Sequence, residues 1–180
     1  KLTPRLTLAL GDELFHYTGE FDASLAVRNL YVEATGLADG ALAVWVGSRM
    51  ARGDDVYLLD FWPLDELNTV GGGARLLLGE TQLAAHAGMS RVDALPQTQV
   101  IAAPSPTVGA QDVLLLDRPR AVAAARAERA FTVAERWTLK PVFYVELHRL
   151  AEGTVQRDDG RFERLAADAG WLAGAELALA

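Results

Sequence analysis

Hydrophobic and polar residues alternate along several short segments of the chain, as they do along β-strands. In the first segment, Leu6, Leu8 and Leu10 alternate with small or polar residues, and a Gly-Asp turn leads into ELFHYT. A period of two places successive side chains on opposite faces of a sheet. The segments ALAVWVG and DVYLLDFWPL form a second such pair, and TVAERWTLKPVFYVELHRL contains a third. The pattern therefore predicts three β-hairpins.

Between the hairpins, the hydrophobic spacing is that of amphipathic helices. Ala23, Val27, Leu30 and Ala34 form a stripe at helical intervals, and Gly36 is placed to end the helix. Further helices are predicted for ARLLLGETQLAAHA, for the alanine-rich segment 119–131 and for 161–179. Because strands and helices do not alternate regularly, the sequence predicts an α+β fold: a largely antiparallel sheet, built from hairpins, with helices packed on one face. The length suits a single globular domain spanning residues 1–180.

Composition narrows the function classes. The chain is 51% hydrophobic and 23% charged, which is typical of a soluble globular protein. A net charge of -7 argues against sequence-independent binding to nucleic acid or to anionic lipid. No apolar run reaches the roughly eighteen residues of a membrane-spanning helix. We therefore expect a cytoplasmic protein that binds neither nucleic acid nor a membrane. Because the first residue is Lys1, an upstream signal peptide remains an open alternative.

The absence of cysteine removes several kinds of chemistry. With no cysteine in 180 residues, disulfides, thiol catalysis and zinc-thiolate sites are excluded. The three histidines have no metal-binding spacing, so no metal site is predicted. No cofactor is expected either.

The late hairpin holds the densest group of candidate side chains. With a four-residue loop around the Lys-Pro pair, Glu135 lies opposite Glu146, and Trp137, Tyr144 and His148 share their face. Opposed carboxylates repel, and such a pair can serve as acid and base. The two glutamates are therefore candidate catalytic residues, and Trp137, Tyr144 and His148 are candidate ligand-binding residues. One alternative is that this face of the sheet is simply exposed to solvent. Another is that a loop with an odd number of residues shifts the register and separates the two glutamates.

Three consecutive glycines offer a second candidate site. Gly71, Gly72 and Gly73 precede a predicted helix, whose N-terminus could bind an anion through backbone N–H groups. The alternative is a flexible loop without a ligand.

Short fragments of the chain resemble two families of transferases. ELFHYTG, DVYLLD and FYVEL are similar to the His-Tyr-Glu pattern of ADP-ribosyltransferase toxins. That resemblance implies NAD binding by His16 and Tyr57, with Glu146 orienting the ribose. The predicted helix after Gly73 with the RVDAL that follows it, and the later segment FTVAERWTLKPVFYVELHRL, also resemble an acetyl-CoA-dependent N-acyltransferase.

A third resemblance favours a protein without catalysis. The segment from Leu25 to Val46 and the closing helix resemble small-molecule sensor domains of the GAF type. Our leading hypothesis is therefore a non-catalytic regulatory or sensor-like domain that binds a small molecule or a protein partner, with a homodimer left open. The alternative hypothesis is an NAD-dependent ADP-ribosyl or acyl transferase that uses His16, Tyr57 and Glu146.

Overall fold

The chain folds as β-structure. The computed structural model describes residues 1–12, 23–51, 67–105, 107, 109–134 and 137–179. No helix occurs in these residues. The strands are β1 Leu2–Asp12, β2 Ala23–Leu37, β3 Leu42–Ala51, β4 Leu67–Leu78, β5 Thr81–Ser90, β6 Thr98–Ser105, β7 Gly109–Asp117, β8 Arg120–Arg129, β9 Phe131–Ala134, β10 Trp137–Leu150, β11 Gly153–Gln156, β12 Phe162–Leu165 and β13 Asp168–Leu179.

Most strands belong to one antiparallel sheet that follows the order of the chain. Across the sheet, the strands lie in the order β1, β2, β3, β4, β5, β8, β10 and β13, and β9 pairs with one end of β10. Two separate hairpins interrupt this meander: β6–β7 lies between β5 and β8, and β11–β12 lies between β10 and β13. Each strand of the main sheet therefore forms its hydrogen bonds with the strands next to it along the meander.

The two ends of the main sheet differ in their connections. At one end, which we call the turn end, short turns join Leu37 to Leu42 and Leu78 to Thr81. Gly79 forms the second of these turns with φ of +61°, a left-handed conformation that glycine adopts without strain. The opposite end, the loop end, carries the β6–β7 and β11–β12 hairpins.

The prediction of an α+β fold with helices on one face is wrong. The segment with the i, i+4 stripe is strand β2, ARLLLGETQLAAHA is the β4–β5 hairpin, and the alanine-rich segment is β8. Alanine, leucine and arginine are strong helix formers, but pairing with neighbouring strands overrides that intrinsic preference. Along β8, alanines at every second position alternate with larger residues, except at Ala124, so a period of two was present beneath the helix-like composition.

The late hairpin turns at a different place from the predicted one. Lys140 and Pro141 lie inside the continuous strand β10, and the chain reverses between Ala134 and Trp137. Pro141 is tolerated where the neighbour of β10 changes from β9 to β8, a position at which no ladder partner is present on that side.

Candidate functional site

One face of the main sheet is apolar and exposed. We call it the outer face. Its residues line up across the strands in registered rows. The first row is Trp171, Leu147, Ala123, Ala87, Gly72, Val46 and Val32. The second row is Ala173, Val145, Ala125, Ala85, Ala74, Val44 and Ala34. A third row contains Phe143, which is 62% exposed, and Leu83. A soluble protein rarely exposes so large a continuous apolar patch.

The opposite face, the inner face, carries the polar and charged residues of the same strands. The inner-face charges are Arg5, Glu33, Arg49, Arg75, Arg120, Arg126, Glu128, Lys140, Glu146, Asp168 and Glu176. Of these residues Glu146 is buried, at 4% exposure, and the others are partly or fully exposed. The sheet is therefore apolar outside and polar inside, which is the reverse of a water-soluble protein.

Tyr144, Glu146 and His148 form a cluster on the inner face of β10. The Tyr144 hydroxyl donates to Glu146 Oε2 at 2.8 Å, and His148 Nε2 lies 2.6 Å from Glu146 Oε1. Both oxygens of this buried carboxylate therefore have partners, as a buried charged group requires. The structure thus brings together Glu146 and two of the three predicted ligand-binding residues. Trp137, an odd-numbered residue of β10, lies on the opposite face from Tyr144, Glu146 and His148 and is exposed.

The predicted opposition of two glutamates is not supported by the register. Glu146 lies opposite Ala124 of β8 and Leu172 of β13. Glu135 lies outside the residues that the structure describes. His16 and Tyr57 also lie outside them, so of the three residues of the predicted His-Tyr-Glu site the structure describes Glu146 alone.

A second polar cluster crosses β5 and β8. Arg126 pairs with Glu128 at 3.0 Å, and Gln82 Nε2 donates to Glu128 Oε1 at 2.6 Å. The sequence analysis did not identify this ion pair, because it predicted a helix for the segment 119–131 that contains both residues. Their alternation with the alanines of β8 was the available signal.

Aromatic side chains lie on the inner face of the strands between β5 and β2. Tyr31 and Trp45 meet edge to face with their centroids 6.1 Å apart, and Trp45 lies 6.0 Å from the His86 ring. The Arg49 guanidinium lies 4.9 Å from the Tyr31 ring centroid and 5.1 Å from that of Trp45, at cation–π distance.

The three glycines lie within β4 and not before a helix, so the anion-binding prediction loses the helix N-terminus on which it depended. A Cβ on Gly71 would lie 2.1 Å from the Ala87 carbonyl oxygen, and one on Gly73 would lie 2.6 Å from Trp45 Nε1. In the structure, these glycines let strands and an aromatic ring approach closely.

The two hairpins at the loop end pack against each other. Leu116 of β7 and Val155 of β11 are each 1% exposed, and two hydrogen bonds join Gln99 to Gln156. The buried Arg118 guanidinium donates to three carbonyl oxygens from separate segments, those of Pro96, Ala151 and Ala166. We call the β6–β7 and β11–β12 hairpins, together with Arg118, the rim assembly.

Within the described parts of the chain, no three His, Asp or Glu side chains gather as metal ligands. In the same residues, no helix is long and apolar enough to cross a membrane.

The faces and connections together define the wall of a membrane-embedded β-structure. Such walls place apolar residues towards lipid and polar residues towards the lumen, with an apolar band about 25 Å tall between aromatic residues. About ten residues separate Trp137 from Leu147, the partner of Trp171. At about 3.3 Å per residue and a tilt of about 40°, this spacing corresponds to about 25 Å.

Comparison with known proteins identifies the family. The chain belongs to the LamB porin family, whose model matches residues 6–177. No curated protein and no solved structure matches the chain.

Family membership and the reversed faces correct the predictions of function and location. A regulatory domain and a transferase are both wrong, because the family is one of β-barrel porins, which are membrane channels. The predictions of a soluble, cytoplasmic protein without a membrane are wrong too, because the family indicates the outer membrane. Total hydrophobicity does not show which face carries the apolar residues, and a search for long apolar runs detects only helices.

Proposed function

We propose that the inner face lines a water-filled channel through which small hydrophilic solutes diffuse across the outer membrane. The observation that carries the proposal is the reversed pattern: complete apolar rows outside and charged side chains inside, strand after strand. Water in the lumen hydrates the exposed inner-face charges, and lipid covers the outer face.

The unequal ends of the sheet support an orientation. Porin-like barrels have short turns on the periplasmic side and long loops outside the cell. The turns at Gly79 and at residues 38–41 therefore face the periplasm. The rim assembly then surrounds part of the outer mouth of the channel.

The two edge strands of the sheet, β1 and β13, must be paired for the channel to exist in a membrane. Among the described strands, β1 pairs only with β2, and β13 pairs only with β10. Unpaired backbone groups in lipid cost several kcal/mol each, so in the membrane both edges need a strand partner. The conducting form is therefore a closed barrel in which these edges are paired.

Two neighbouring alanines provide a matched test of the two faces. Ala84 lies on the inner face and Ala85 on the outer face of the same strand. The protein has no native cysteine, so Ala84→Cys and Ala85→Cys each introduce a single thiol. In protein reconstituted into lipid vesicles, a membrane-impermeant thiol reagent should modify Ala84→Cys and leave Ala85→Cys unmodified.

The opposite labelling would contradict the proposal. In a water-soluble sheet, Ala85 would be the accessible residue, since it is the more exposed of the two. In planar bilayers the protein should also give discrete conductance steps, and modification of Ala84→Cys should reduce each step. Bilayers that stay non-conducting despite confirmed insertion would refute the channel.

A further inference from the structure

We propose that Arg149 and Trp171 bind the phosphate headgroup of a lipid in the outer leaflet of the membrane. The proposal rests on the proposed orientation, in which the loop end faces out of the cell, and it adds a ligand on the lipid side of the wall. Both residues lie on the outer face near the loop end, and both are exposed, Trp171 to 73%. Neither lines the lumen, so the site is separate from the channel.

Charged side chains are rare on the outer face of the described strands. From β3 to β13, the outer-face charges of the main sheet are Arg129 and Arg149. Arg129 lies at the turn end, and Arg149 lies at the loop end. Because Glu128 pairs with Val142, the two arginines are about eight residues, or about 20 Å, apart along the tilted strands. Long cationic side chains at the two ends of an apolar stretch reach out to the lipid headgroups.

The two arginines differ in their partners. At the turn end, Arg129 Nη2 lies 3.9 Å from Glu80 Oε2, and its guanidinium lies 4.9 Å from the centre of the Phe131 ring. At the loop end, Arg149 forms no ion pair with any residue that the structure describes. Asp168 is on the neighbouring strand, but it lies on the inner face. The guanidinium at the loop end is therefore available to an anion from outside the protein.

The surroundings of Arg149 leave space for a ligand and supply a second donor. Its partners across the ladder, Ala121 and Ala169, have short side chains that do not cover a guanidinium. Trp171 follows Ala169 by two residues on the same face of β13, and it pairs with Leu147. Arg149 and Trp171 are therefore diagonal neighbours on adjacent strands, about 7–8 Å apart, which one headgroup can bridge.

The chemistry of the two side chains selects the ligand. A guanidinium donates two parallel hydrogen bonds to phosphate oxygens, and such charge-assisted bonds are stronger than neutral ones. An indole ring has an apolar body and an N–H donor, so it suits the boundary between acyl chains and headgroups. A free phosphate ion would use the arginine alone, whereas the acyl chains of a phospholipid also cover the indole ring and Leu147. The pair therefore fits a lipid phosphate better than a free one.

The test is lipid binding to the protein folded in an uncharged detergent, measured by native mass spectrometry as an apparent Kd. Three probes separate the parts of the ligand: phosphatidic acid, diacylglycerol with the same acyl chains, and inorganic phosphate. The wild-type protein should bind phosphatidic acid about tenfold more tightly than either of the other two, because only this probe combines a charged hydrogen-bond acceptor with acyl chains.

Substitutions at the two ends of the outer face provide matched variants. Arg149→Gln should weaken the binding of phosphatidic acid by about tenfold, because hydrogen bonds to a charged partner are lost. Arg149→Lys keeps the charge without the two parallel hydrogen bonds and should give a smaller loss, which is the measurement to use if Arg149→Gln does not fold. Trp171→Leu removes the N–H donor and should also weaken binding. Arg129→Gln should leave the apparent Kd nearly unchanged, because Glu80 already holds that arginine.

Three results would overturn the site. They are an unchanged Kd for phosphatidic acid in Arg149→Gln, an equal loss in Arg149→Gln and Arg129→Gln, and binding of inorganic phosphate or diacylglycerol as tight as that of phosphatidic acid. Lipid binding in detergent does not require conduction, and Arg149→Gln should give the conductance steps of the wild-type protein because its side chain faces lipid. A wild-type protein that inserts without conducting would instead refute the proposed function.

Discussion

A charge placed in the middle of the outer face tests whether lipid covers it. Val145 lies on this face of β10, two residues from Phe143, the midpoint of the apolar band between Trp137 and Arg149. Two residues along a tilted strand correspond to about 5 Å, well inside the span of about 30 Å that the twelve residues from Trp137 to Arg149 cover. Val145→Arg therefore puts a guanidinium near the centre of the hydrocarbon layer.

The expected cost follows from that depth. An arginine near the midplane of a membrane β-barrel destabilises the protein by about 2–4 kcal/mol, and one near the interface by about 0–1 kcal/mol. At about 1.4 kcal/mol per factor of ten, Val145→Arg should lower the folding equilibrium constant by about 30- to 1,000-fold. Leu179→Arg, on the outer face at the turn end, should have much less effect.

The assay is denaturant unfolding of the protein folded in lipid vesicles, followed by tryptophan fluorescence. Val145→Ala controls for the loss of the valine side chain without adding charge. On a sheet that faces water, an arginine at this partly exposed position would change the free energy of unfolding by less than about 0.5 kcal/mol. Equal stabilities of Val145→Arg and Val145→Ala would therefore refute the assignment of the outer face to lipid.

Three other predictions concern backbone spacing and the rim. Gly71→Ala should destabilise the protein by about 1–3 kcal/mol, because the added Cβ meets the backbone of β5, whereas Gly170→Ala, which meets no atom within 4 Å, should be tolerated in the same unfolding assay. Arg118→Met should expose the β11–β12 hairpin to proteolysis, because three carbonyl oxygens lose a charged donor and each such bond contributes about 1.5–3 kcal/mol. The hydrogen bond and charge of Arg157 lower the pKa of Glu163, so this contact stabilises the hairpin above the ordinary value of 4.5 and is lost as the pH falls through the lowered pKa. An NMR titration should show that Arg157→Gln returns the Glu163 midpoint towards 4.5, and an unchanged midpoint would contradict the pairing.

The sequence pattern predicted some of the strands, but it assigned others, including β2, β4, β5, β8 and β13, to helices. The alternation in LTLAL, ALAVWVG and FYVELHRL predicted strands where β1, β3 and β10 lie. The same period runs through β8, where the outward positions are all alanine from Ala121 to Ala127. Alanine is small and a strong helix former, so a hydrophobicity pattern built on it indicates a helix as readily as a strand.

The candidate site was predictable only in part, because its residues depend on register. Tyr144, Glu146 and His148 lie at alternate positions of one strand, so any continuous strand there places them on one face. The partners of Glu146 across the sheet depend on where the chain turns, and the Lys-Pro pair did not mark the turn. Its neighbours on β8 and β13 come from segments that had been assigned to helices.

The distribution of burial explains why the inner face carries clusters of polar contacts. In the described chain, the side chains buried to 1% exposure, Leu116 and Val155, belong to the rim assembly and not to the main sheet. A sheet that has lipid on one side and a lumen on the other has no apolar core between layers to hold its strands in place. Adjacent strands are joined instead by backbone ladders and by side-chain contacts such as that of Gln82 with Glu128. Because a carboxylate that is withdrawn from water needs partners, Glu146 is held by Tyr144 and His148, and Glu128 is held by Arg126 and Gln82.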